Sequence, residues 1–86
     1  MLIFYAIKQL SDVINVRNTK LIKRFGKRLR ELRESSGMSQ EALANEADVP
    51  ISQIGRIERG EVNVTLSTLN NLSIALKISL PELLNF

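Results

Sequence analysis

The stretch from Gly37 to Gly60, GMSQEALANEADVPISQIGRIERG, constrains the fold more than any other part of this chain, because it starts and stops a helix twice within a short length. Ser39 is a residue type that caps helix N-termini. It is followed by Gln40 and Glu41, a polar and an acidic group suited to the positive end of a helix dipole. Leu43, Ala44 and Ala47 then share one helical face. Asp48 and Val49 break the pattern, and Pro50 opens the next segment, since proline lacks only an N–H that a first helical turn leaves unpaired. Ile54 and Ile57 mark the inward side of this segment, and Gly60 closes it. Helices this short are not stable alone, so both must pack on each other and on further helices.

The flanking sequence supplies those helices. Leu21, Phe25, Leu29 and Leu32 recur at steps of four, four and three, predicting an amphipathic helix with Lys20, Lys23, Lys27 and Arg30 opposite, stopped by Ser35, Ser36 and Gly37. Downstream, Thr65 caps a helix that buries Leu66, Leu69, Leu72 and Leu76. Ser79 and Glu82 form a capping box for a last short helix containing Leu83 and Leu84. The short connections are those of a compact bundle. The expected fold is all-α, with five helices in residues 20–86. Residues 1–19 form a separate apolar extension, in which Ile3, Ile7, Leu10 and Ile14 keep helical spacing while Leu2 to Ile7 also suits a strand. Helix is the preferred reading, and so much apolar surface is expected to pack on the bundle or on another chain.

Composition removes most kinds of catalysis. The chain has 86 residues and no His, Cys or Trp, so it has no Ser-His or Cys-His pair, no Cys/His zinc site and no disulfide. A domain of this size holds one small core and no deep substrate cavity. A carboxylate-only hydrolase is left formally open, but the Asp and Glu residues show no paired spacing. Neither an enzyme, a cofactor nor a metal is expected. The longest apolar run, Leu2 to Ile7, is far short of the roughly 20 residues of a membrane span, and the first charge, Lys8, follows that run rather than preceding it as in a signal peptide. A cytoplasmic protein without a membrane partner is expected. Net charge is +3, and residues 20–36 hold the excess: Lys20, Lys23, Arg24, Lys27, Arg28, Arg30 and Arg33 face only Glu31 and Glu34. Such a run suits a polyanion, although it also suits a solvated helix face.

Two short helices joined by a tight break form a helix-turn-helix, the arrangement that lays its second helix in a DNA major groove, although many bundles contain such a pair for packing alone. The outer arc of the second helix favours the groove: Ser52, Gly55, Arg56 and Arg59 lie opposite Ile54 and Ile57, with no large apolar group among them. Arginine forks two hydrogen bonds to guanine, and serine reaches a base edge or a phosphate. Gly55 costs about 1 kcal/mol relative to alanine in an exposed helix, so it points either to a neighbour approaching its backbone or to a tolerated surface glycine.

The motifs S-Q-E-x-L-A from Ser39, I-x-x-I-E-x-G from Ile54 and the following TLSTLNNLSIALKISLPELL resemble the phage-repressor (Cro/cI-like, XRE-type) helix-turn-helix family. The resemblance leaves residues 1–19 outside. It implies a lambda-repressor-like five-helix domain that binds operator DNA, usually as a homodimer, and regulates transcription. Carried over position by position, Ile51, Ser52, Gln53 and Arg56 contact bases, while Gln40, Arg59 and the backbone around Asn63 contact phosphates. Ile51 either covers a thymine methyl or sits at the core edge, and Gln53 reaches base or phosphate. Arg33 and Glu58 match positions of an ion pair joining the first helix to the third. Asp48 and Val64 stand where the family often has Gly and Pro, and Glu61 places an acid near the phosphate path, which predicts weak nonspecific binding. The competing reading is a protein-interaction module, antitoxin-like, that engages a protein partner through the N-terminal segment.

Overall fold

The computed structural model describes residues 17–86. Among them are five helices and no strand: α1 (Thr19–Ser35), α2 (Gln40–Ala47), α3 (Ile51–Glu58), α4 (Leu66–Ala75) and α5 (Leu80–Leu83). The stretch Leu2 to Ile14, expected as a helix that packs on the bundle or a second chain, lies outside the described residues.

Four helices start on a side-chain cap. Asn18, Ser39, Thr65 and Ser79 accept hydrogen bonds from the backbone N–H groups of Leu21, Ala42, Thr68 and Glu82 at 3.0 to 3.2 Å. Each bond satisfies one of the donors that a first turn leaves without a partner. The exception is α3. The expectation that Pro50 is its first residue is corrected: Pro50 is extended, with ψ of 140°, and serves as the N-cap, while Arg59 is the C-cap. The expected helix Pro50 to Arg59 therefore shortens by a residue at each end. The extended Pro50 makes the change of direction after α2, and its carbonyl accepts from Gln53 and Ile54. Asp48 ends α2 in the left-handed conformation, φ 55°, and the next N–H, from Val49, donates back to the Ala44 carbonyl at 3.0 Å. Aspartate tolerates that conformation better than most residues, which explains how the turn forms without glycine.

Every helix contributes to one core. Leu29 of α1, Leu43 of α2, Ile54 and Ile57 of α3, Leu72 of α4 and Leu83 of α5 are almost fully buried. Each such side chain contributes about 1.5–3 kcal/mol through loss of water contact. α1 packs on α3, α2 on both α3 and α4, and α4 on α5.

Two expected core positions are exposed. Leu21 is 48% exposed and its place is taken by Ile22, because the buried arc of α1 runs through Ile22, Phe25, Gly26 and Leu29. Gly26 sets that rotation: a Cβ there would lie 2.4 Å from the Ile57 carbonyl oxygen, so α1 rests with bare backbone against the end of α3. Leu66 is 71% exposed, since it opens α4 and the buried face begins further along, with Leu72, Ser73 and Ala75. Among the described residues no helix is long and apolar enough to cross a membrane.

Candidate nucleic-acid interface

Burial of Ile54 and Ile57 fixes the rotation of α3 and thereby decides what it presents outward. Ile51, Ser52, Arg56 and Arg59 are exposed, Gln53 is half-buried, and Asn63 is exposed in the loop that follows. Ile51 is 51% exposed. Gly55 is corrected: it is buried rather than part of the open face. A Cβ added there would lie 3.0 Å from Nη1 of Arg59 and 3.8 Å from Oε1 of Gln40. The one tight neighbour is thus the end of the Arg59 side chain, while Gln40 stands at ordinary contact distance.

Those two side chains are held differently. Gln40, the first residue of α2, donates from Nε2 to Oε1 of Glu58 at 3.1 Å. Arg59 donates from Nε to Oε2 of Glu61 at 2.6 Å, both groups being well exposed. The hydrogen bond to Arg59 holds the Glu61 carboxyl below the usual carboxylate range, and the nearby charge of Arg56 acts in the same direction. Arg59 therefore does not stand alone on the expected phosphate path. It shares that surface with an acid, which offsets much of its charge.

Beneath this surface lies the pair of Arg33 and Glu58. Nε of Arg33 donates to Oε2 at 2.6 Å and Nη2 donates to Oε1 at 3.1 Å, a two-point contact between α1 and the last residue of α3. The third nitrogen, Nη1, donates to the Met38 carbonyl at 2.8 Å, just ahead of α2. The side chains are only 11% and 4% exposed. The hydrogen bond to Glu58 raises the Arg33 pKa further above its ordinary value despite the opposing effect of burial. Either charge alone would be stranded at this depth, so the two must be kept or replaced together.

Ser52 and Arg56 share one face, as their spacing predicts. Three features carry no prediction in the sequence: the tie between Gln40 and Glu58, the pairing of Arg59 with Glu61, and the close approach at Gly26. Only Gly26 left a signal, as a glycine inside a long helix with no end to cap.

A short helix with serine and arginine on its open face, turned sharply from the helix before it, is the geometry of a helix-turn-helix DNA reader. The helix-turn-helix family matches residues 29–83. Control protein C.BamHI from Bacillus amyloliquefaciens is 44% identical over 63 residues, covering 72% of this chain and 78% of the relative. The HTH-type transcriptional regulator DdrOP3 from Deinococcus deserti is 35% identical over 57 residues, covering 66% of this chain and 44% of the relative. The crystal structure of the restriction-modification controller protein C.AhdI from Aeromonas hydrophila superposes with a TM-score of 0.71 at 45% identity, covering 77% of this chain and 98% of that one. The chain belongs to the helix-turn-helix family and is a DNA-binding transcriptional regulator of the XRE class.

Proposed function

We propose that this protein is a controller-type regulator, acting in the cytoplasm on the transcription of restriction-modification genes, and that it reads its operator as a homodimer through α3. The observation that carries this reading is the open face of Ser52 and Arg56 on a helix whose rotation is fixed by Ile54 and Ile57. It is supported by 45% identity to a restriction-modification controller protein over nearly all of that protein's length. In this reading Arg56 forks to guanine, Ser52 meets a base edge, Ile51 covers a thymine methyl, and Gln53 reaches base or phosphate. Gln40, Arg59 and the backbone at Asn63 hold phosphates and set the register.

One eight-residue helix spans too few base pairs to single out an operator, so two copies on half-sites about 34 Å apart are needed. The surface offered to the second copy is an apolar groove of about 120 Å³ between α1, the loop after α3 and the C-terminus. It is walled by Val62, Val64 and Leu69 and edged by the exposed side chains of Leu21, Leu84 and Phe86. Covering these groups removes apolar surface from water, and the small net charge of +3 opposes pairing only weakly.

The test is fluorescence anisotropy of wild type and Arg56→Ala on the DNA upstream of the protein's own coding sequence and on a scrambled duplex, over a salt series. Wild type is expected to prefer its own upstream DNA. Arg56→Ala, folded by circular dichroism, is expected to lose about tenfold or more of that preference, as for one bidentate base contact. Equal, weak and salt-sensitive binding of wild type to both duplexes would count against an operator at that site.

A further inference from the structure

Glu58 accepts a hydrogen bond from the first residue of α2 as well as pairing with Arg33. The Gln40 amide donates to Oε1 of Glu58 at 3.1 Å, and that same oxygen accepts Nη2 of Arg33 at 3.1 Å. An ionised carboxylate only accepts hydrogen bonds, whereas a glutamine amide has a donating and an accepting end. Glu58 therefore selects one of the two flips of Gln40: the nitrogen must face the carboxylate, and the oxygen lies toward Gly55, 3.8 Å from where a Cβ would stand. The amide nitrogen carries a second hydrogen that this bond does not use. An acid beneath a phosphate contact would repel the phosphate, but Arg33 pairs with it through two hydrogen bonds and offsets its charge. Through Nη1 and the Met38 carbonyl, the same guanidinium also ties down the backbone leading into α2.

We infer that Glu58, neutralised by Arg33, is a positioning residue for DNA binding: it fixes the flip of Gln40 so that the side chain presents N–H, not carbonyl oxygen, to a phosphate. This rests on the reading of Gln40 as a phosphate contact. The pair consequently acts on recognition as well as on the fold.

Truncating Glu58 alone would strand the Arg33 charge and endanger the fold, so the test replaces the pair together. Arg33→Met combined with Glu58→Leu keeps net charge and bulk while removing the acceptor. Such apolar replacements of buried ion pairs are commonly tolerated. Operator affinity is measured for four proteins: wild type, Gln40→Ala, the pair variant, and the pair variant carrying Gln40→Ala, each checked by a thermal melt. Gln40→Ala is expected to weaken binding about tenfold, with an unchanged salt slope because glutamine carries no charge. The pair variant should lose a comparable factor, and combining the two should cost no more than Gln40→Ala alone.

Losses that multiply would show that the pair acts only through the fold and would overturn the inference, as would a pair variant that binds like wild type. If Gln40→Ala itself binds like wild type, the phosphate reading fails and the inference fails with it. Should the pair variant not melt cooperatively, the side-chain amide of Gln40 in the wild-type 1H–15N spectrum decides. One hydrogen shifted downfield and slow to exchange supports the tie to Glu58, and the ordinary pair of shifts of a free glutamine amide, both hydrogens exchanging fast, overturns it.

Discussion

Replacing Gly26 with alanine sets two physical effects against each other, and the structure decides between them. By intrinsic propensity, alanine in place of glycine within a helix stabilises by about 1 kcal/mol. In α1, however, the new Cβ would lie 2.4 Å from the carbonyl oxygen of Ile57 and 2.8 Å from that of Glu58, where ordinary contact begins at 3.4 Å. The shortfall is about 1 Å, and it falls on backbone atoms that cannot swing aside as a side chain would. The Ile57 carbonyl is already engaged, accepting the Gly60 N–H at 3.0 Å. Relief requires α1 and α3 to separate, which loosens Leu29 and Ile57 in the core and lengthens the bonds from Arg33 to Glu58. Overpacking of this kind costs about 1–3 kcal/mol, and breaking into a buried ion pair adds to it. The net expectation is destabilisation by about 2 kcal/mol after the propensity gain. For a domain of this size that corresponds to a fall in Tm of roughly 8–16 °C. Urea unfolding followed by circular dichroism should show a lower midpoint with an unchanged slope. Operator affinity should fall too, because α3 moves relative to α2. A Gly26→Ala protein as stable as wild type, or more so, would show that propensity prevails and that α1 does not rest on the end of α3 as described.

Glu61→Gln frees Arg59 from its carboxylate partner and removes a negative charge from the DNA-facing surface. Operator affinity is expected to rise several-fold at low salt, with a salt dependence steeper by about one counterion. An unchanged or weaker affinity by anisotropy would argue that Arg59 does not reach phosphate. The same pairing works in reverse with pH. The Glu61 carboxyl is held low in the folded protein, so its link to Arg59 is intact above the ordinary carboxylate range and is lost as pH falls through the lowered value. The two groups are exposed, so this link should leave the thermal melt near neutral pH almost unchanged. Leu84→Asp places a charge at the edge of the apolar groove and is expected to shift the protein toward monomer in sedimentation equilibrium and to weaken operator binding. A dimer of wild-type strength would place the interface elsewhere.

Much of this architecture is written locally along the chain. The side chains of Ser39, Thr65 and Ser79 cap helices because capping is decided within four residues, and the pattern from Leu43 to Ile57 forces two short helices around Asp48 for the same reason. The open face of Ser52 and Arg56 was legible too, since a helix with two buried isoleucines leaves only one side to solvent. What local pattern could not give is rotation against neighbours. Periodicity admits Leu21 or Ile22 on the buried arc of α1, and the choice falls to Ile22 only because Gly26 lets α1 settle onto the carbonyls of α3. Leu66 looked inward by spacing, yet the core ends before it. The ties of Gln40 to Glu58 and of Arg59 to Glu61 join groups whose sequence separation says nothing about their facing one another. Where the helices begin, end and turn was legible in these residues, to within a residue at Pro50 and Arg59, because those are short-range matters of hydrogen bonding and backbone sterics. Which side chains meet beneath the reading surface follows instead from packing, because it depends on how closely one backbone approaches another.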